Sequence, residues 1–128
     1  MNDSIGHLNI IGEDGLITWD GLFDRYAMKA AGRSVPSAAD FINDATVTWV
    51  FRAAAADGSF DAAGALVSNA GGTMAYVTGS NGCYIGTIED NAAFTNGATY
   101  WAIASFTATG DKVGERKIRY VAGYHGSN

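Results

Sequence analysis

Two histidines, one cysteine and two pairs of acids are the side chains of this sequence with obvious chemical capacity. His7 and His125 stand near opposite ends of the 128 residues, and neither has a Cys or His at ligand spacing. No zinc site is expected from them. Cys83 is the only cysteine, so no disulfide within the chain is possible. It follows a turn and has no activating partner nearby in sequence, which reads as an inert thiol. Asp57 with Asp61, and Glu89 with Asp90, could offer carboxylate oxygens to calcium. The run "DGSFD" lacks the ligand-every-second-residue order of an EF-hand loop, so turn chemistry is the better reading. "GSNG", residues 79–82, is not a Gly-x-Ser-x-Gly nucleophile elbow. It reads as a tight turn in which Asn81 and Gly82 supply positive φ. No Gly-rich phosphate loop stands between a strand and a helix. The expectation is a protein that is not an enzyme, with no catalytic residues, no metal and no cofactor.

The totals point the same way. A chain of 128 residues suits one domain with a single core. At 48% hydrophobic and a mean hydropathy of +0.03 it can bury that core. Its 17 glycines follow no collagen period and imply a loop-rich fold. The net charge of −5 argues against nucleic acid as a partner. That charge is uneven. Residues 1–64 hold 9 acids and 4 bases, whereas residues 65–128 hold 4 of each. Lys112, Arg116, Lys117 and Arg119 are those last four bases, either the solvated face of one strand or a contact for an acidic neighbour. The opening "MNDSIGHLNIIG" lacks a basic region followed by an apolar run, so no signal peptide is expected. No apolar stretch approaches the roughly 20 residues that span a bilayer. A soluble protein of a reducing compartment, without a membrane partner, is expected.

The elements that would position these residues are mostly short strands. "ATVTWVFRA" (45–53) alternates, with Val47, Trp49 and Phe51 on one face. Further strands are expected at 65–67, 73–78, 83–88, 99–108 and 115–123. Turns are expected between them at "ADGSFDAAG", "SNAGG", "GSNG" and "TGDKVG". Six short strands in about 80 residues suit a sandwich or small barrel. Residues 21–32 are the one candidate helix, with Asp20 as cap and Gly32 as stop, although a strand fits nearly as well. A hairpin around Glu13-Asp14-Gly15 is possible. Residues 30–40, with the single Pro36, read as a linker. The chain therefore divides into an N-terminal arm or extra layer, 1–40, and a sandwich, 41–128, with a frayed tail after Tyr124. The arm is too short for a core of its own. A chain starting near Asp40 is expected to stay folded and assemble poorly.

"FTNGATYWAIAS" (94–105) is apolar on both faces. Phe94, a Gly-containing turn and then Tyr100 opening a long strand form the pattern of a tyrosine corner in Ig-like sandwiches. Tyr100, Ala102, Ala104 and Phe106 should then face inward, opposite the bulk of Trp49. Trp101 and Ile103 should face outward, as Val50 and Val121 do on their own strands. Either residues 1–40 or another subunit is expected to cover this face. Trp101 and Ile103, with Arg116, Lys117 and Arg119, are the candidate interface residues.

Met74, Tyr76, Val77, Gly79, Ser80, Asn81, Gly82, Tyr84, Gly86 and Ile88, with Gly97 and Tyr100, carry a resemblance. After an opening "A-T-V-T" strand, they look like a group of small Ig-like proteins of tailed bacteriophages. Those are similar in outline to the N-terminal β-sandwich of phage baseplate upper proteins. The likeness covers about two thirds of the chain and leaves residues 1–40 unexplained. It implies an all-β, Ig-like antiparallel β-sandwich with an N-terminal extension. It also implies a virion structural protein, made in the host bacterial cytoplasm, whose partners are other capsid, neck or tail proteins. A homo-oligomeric capsid decoration protein is the leading expectation, and a neck, tail or baseplate accessory protein comes next. A carbohydrate-binding or adhesin module is the rival of another class, because sandwich loops with exposed Trp and Tyr rings suit sugar stacking.

Overall fold

Alternation decides the centre of the molecule. The computed structural model describes residues 5–11, 15–110 and 112–124. Seven strands, β1 (Ile5–Ile11), β2 (Gly15–Trp19), β3 (Thr46–Ala53), β4 (Leu66–Tyr76), β5 (Tyr84–Ile88), β6 (Thr99–Ala108) and β7 (Lys112–Tyr124), form one sheet in the order β1-β7-β6-β3-β4-β5-β2. Six of them are antiparallel, and β1 is added parallel to β7 at one edge. On β3 the buried residues are Val47, Trp49 and Phe51. They pair with Phe106, Ala104 and Ala102 of β6, so large side chains on one strand meet mostly small ones on the next.

The sheet curls because β4 serves two neighbours. Its first part pairs with β3, while Ala75 and Tyr76 pair with β5. "SNAGG", expected as a turn, lies inside this one strand of 11 residues. Asn69 adopts φ 62°, and the β3 register shifts between Val50 and Arg52. Asn tolerates that conformation, and Gly71 lacks a Cβ where one would lie 3.0 Å from the Trp49 carbonyl oxygen. The turn-type residues therefore make a bulge rather than a reversal. The curl brings β5 and β2 over β3 and β6. Trp49 reaches across to Gly86, where an added Cβ would lie 2.6 Å from its Nε1. That indole N–H is buried with no hydrogen-bond partner among the described residues. Trp19 packs edge-on against Phe106 at 5.6 Å.

Two tyrosine hydroxyls tie loops to this core. Tyr100 is buried, and its hydroxyl accepts from Thr95 N at 2.7 Å while its ring meets Phe94 at 5.0 Å. Phe94 in turn packs on Phe51 at 5.1 Å. Tyr84 is completely buried, and its hydroxyl donates to Ile42 O at 2.7 Å and accepts from Ala45 N at 3.1 Å. Burial raises the Tyr84 pKa, since the phenolate would lose its water.

The described part of the N-terminal forty residues is not a separate arm. β1 and β2 lie at opposite ends of the strand order, so they make no hairpin with each other. β2 continues the antiparallel sheet beyond β5 and buries Ile17, and Leu22 and Met28 are buried further on. Leu22 N donates to Gly82 O at 2.9 Å, and Ile42 N donates to Leu22 O at 2.9 Å. Gly82 has φ 69°, and a Cβ on it would lie 2.3 Å from the Leu22 carbonyl oxygen. Only glycine fits that contact. These bonds, with a bridge from Phe23 to Phe41, hold residues 22–23 extended. The helix expected at 21–32 is shortened for that reason. It is α1, Arg25–Ala30, capped by Asp24, whose Oδ1 accepts from Ala27 N at 3.1 Å. Gly32, at φ 74°, ends it.

The expected linker is ordered too. It holds a 3₁₀ turn, Ala38–Asp40, and the buried Asp40 takes a forked ion pair from Arg33 and a bond from Ser37 N. Arg33 first, then Ser37, holds the Asp40 carboxyl below its usual pKa. The tail from His125 onward lies outside the described residues.

Candidate functional site

The outer face of β3, β6 and β7 brings together four of the five candidate interface residues. Trp101 lies between Arg52 of β3 and Arg119 of β7, and Ile103 lies between Val50 and Lys117. Arg116 is on the opposite face, because it pairs with inward-facing Ala104. Alternation along β7 requires that split, which the cluster of bases in the sequence hides.

Within the chain it is not residues 1–40 that lie over Trp101. The β3–β4 loop, residues 54–65, lies there instead. Trp101 Nε1 donates to Gly58 O at 3.0 Å, and Phe60 meets the Trp101 ring edge-on at 5.9 Å. The Arg119 guanidinium lies 5.9 Å from the centre of the Trp101 ring. The Lys117 ammonium lies 4.7 Å from that of Phe60. Arg52 Nη1 donates to Gly64 O at 2.9 Å, fixing the far end of the loop. Ile103 is buried and Trp101 half-buried. This stretch is apolar on both faces because the protein supplies its own second layer.

The loop's acids shape the loop. Asp57 Oδ1 accepts from Ser59 N at 3.0 Å and from the Ser59 hydroxyl at 2.6 Å. Those bonds, the hydroxyl first, hold its carboxyl below the usual range. Asp61 Oδ1 accepts from Ala63 N at 2.9 Å. Both are turns closed by an Asp on its own backbone. No group of three metal-ligating side chains occurs among the described residues. Cys83 is half-buried, with its sulfur 3.8 Å from Asn81 O. In the preceding turn Gly79 and Gly82 have positive φ, and Asn81 does not.

Trp101→Ala is expected to lower the stability of the isolated chain by about 1–3 kcal/mol. One indole bond is lost at about 1 kcal/mol and one ring contact at about 0.5–1.5 kcal/mol. Chemical denaturation of wild type and variant measures it. An unchanged midpoint would mean that the loop does not hold Trp101.

A different surface is uncovered. Outward positions on β2, β5 and the end of β4 are Leu16, Thr18, Ile85, Thr87 and Ala75, and Val77 continues the row beyond β4. None carries a charge. Leu16 is 67% exposed, Ile85 38% and Val77 37%. The register makes them neighbours, with Leu16 opposite Thr87, Thr18 opposite Ile85, and Ile85 opposite Ala75. A solvated sheet face ordinarily alternates to polar and charged residues. Sequence reading missed this face because β2 was assigned to a hairpin elsewhere. The alternation in "CYIGTI" was the available signal, with Tyr84, Gly86 and Ile88 inward and Ile85 and Thr87 outward.

Comparison with protein-family models, with curated proteins and with solved structures finds no match to this chain.

Proposed function

We propose that this protein is a non-enzymatic structural subunit of a tailed-phage virion, a decoration protein of the head, and that its curled sheet is an Ig-like sandwich. The sandwich reading is supported by the Tyr100 corner and by Trp49 filling the space between the two layers. The phage assignment rests on the resemblance of segments within residues 44–122. The observation that carries the assembly reading is the uncharged outer face of β2, β5 and β4. Its exposed Leu16 and Ile85 gain nothing for folding and gain burial on association.

Leu16→Glu with Ile85→Glu tests the reading. Both side chains are exposed, so the melting temperature of the purified chain should stay within a few degrees of wild type, as for most surface changes of about ±0.5 kcal/mol each. A carboxylate carried into a dry contact is left unpaired. The variant should therefore be lost from particles that incorporate the wild-type chain. A variant that is retained at wild-type copy number would overturn the use of this face.

A further inference from the structure

At one end of the sandwich the two layers part and leave a groove, and nothing in the assembly reading uses it. One wall is the segment from Trp19 to Tyr26. The other is the β6–β7 hairpin, from Phe106 through Gly110 to Lys112–Arg116. The groove encloses about 970 Å³, near the upper end of the roughly 300–1,000 Å³ of small-molecule sites. Trp19, Phe106 and Leu22 give it an apolar floor. Lys112 Nζ and Asp24 Oδ2, 3.2 Å apart, join the walls.

Three features of the groove are unexplained by folding. Arg116 is exposed on β7, on the side of the strand that pairs Ala104 and lines the groove. Neither Arg116 nor Asp20 of the facing wall makes an ion pair among the described residues. Tyr26 at the rim is 88% exposed, and Val113 across from it is 70% exposed. A guanidinium that donates, a carboxylate that accepts and aromatic rings beside both make a defined set of contacts. Among the described residues the lining holds three cations, Arg25, Lys112 and Arg116, and three anions, Asp20, Asp24 and Glu115. A ligand with a strong net charge of either sign would meet as many like charges as opposite ones and gain little from them.

We propose that this groove is a binding site for a neutral saccharide. A pyranose ring presents an apolar face of C–H groups to an aromatic ring, here Trp19 or Tyr26. Its hydroxyls accept from Arg116 and donate to Asp20, and each donor–acceptor pair is satisfied without net charge on the ligand. The site is independent of the assembly face, so either can fail alone.

The test is two-dimensional NMR of the intact chain, read at the three indole N–H signals, with Trp19→Phe identifying the groove signal. Trp49 is buried and Trp101 lies under its loop, so only Trp19 faces the groove. The probes are glucose, galactose, mannose and N-acetylglucosamine, with their di- and trisaccharides. They are added to about 50 mM, well past the millimolar dissociation constants of weak small ligands. At least one should move the Trp19 signal saturably and leave the other two in place. Arg116→Ala, at an exposed position, should weaken that sugar by about tenfold or more through loss of a charged hydrogen bond. No saturable shift with any sugar overturns the proposal. So do unchanged affinity in Arg116→Ala, and tighter binding of glycylglycine, a zwitterion that would also suit one cation and one anion.

Discussion

A chain that begins at Asp40 will not fold. Without residues 1–39 the curled sheet loses β2, the edge strand that pairs with the whole of β5 from Tyr84 to Ile88. Ile17 and Leu22 leave the core, and each contributes roughly 1.5–3 kcal/mol on burial. The backbone bonds from Leu22 to Gly82 and Ile42 are also lost, so the Gly82 turn and the entry to β3 are no longer tied together. Asp40 loses its bonds to Arg33 and Ser37, so the turn that leads into Phe41 and Ile42 is no longer fixed. Together these approach the entire 5–15 kcal/mol by which domains are stable. Circular dichroism and the dispersion of an NMR spectrum decide the matter. A truncated chain with native dispersion and a cooperative melt would show that the N-terminal strands only decorate a self-sufficient sheet.

Trp49→Ala should cost about 3–5 kcal/mol, as large-to-small changes of core aromatics do. The ring reaches from β3 to β5, touching Gly72 on its own side and Gly86 on the other, with Phe51 edge-on at 5.8 Å. Glycine on both sides means that neither residue next to the ring has a side chain to fill the space, which leaves only Ile17 and Met74 at its edge. The hole would persist, which puts the loss toward the upper end of that range. The unpartnered Nε1 softens this slightly, since its removal frees no hydrogen bond. Thermal or urea unfolding measures the loss. A variant within about 1 kcal/mol of wild type would place Trp49 outside the core.

Strands rich in β-branched and aromatic residues were legible from sequence. β3 and β6 lie where "ATVTWVFRA" and "TYWAIASFTA" place them, and Tyr100 opens β6 at the corner. Turn residues misled where they served a bulge. Asn69, Gly71 and Gly72 read as a reversal, but β4 runs through them because a curl between two layers needs the same conformational freedom. The N-terminal strands were illegible for another reason. β1 pairs with β7 and β2 with β5, across more than 60 residues of sequence in each case, and no local pattern reports such distant pairing. The loop over the candidate interface residues was illegible on the same ground. Apolar residues on the back of β6 signal that something covers them, and the loop that does so has no apolar run of its own beyond Phe60. The face that is uncovered became visible only once β2 and β5 were paired.

Immunogold imaging of purified phage particles with antibody against this chain tests the central claim most directly. The account predicts label in a regular array on the heads. Label confined to the neck or tail would contradict the head position. Particles without label, from a lysate in which the chain is abundant, would contradict a structural role in the virion altogether.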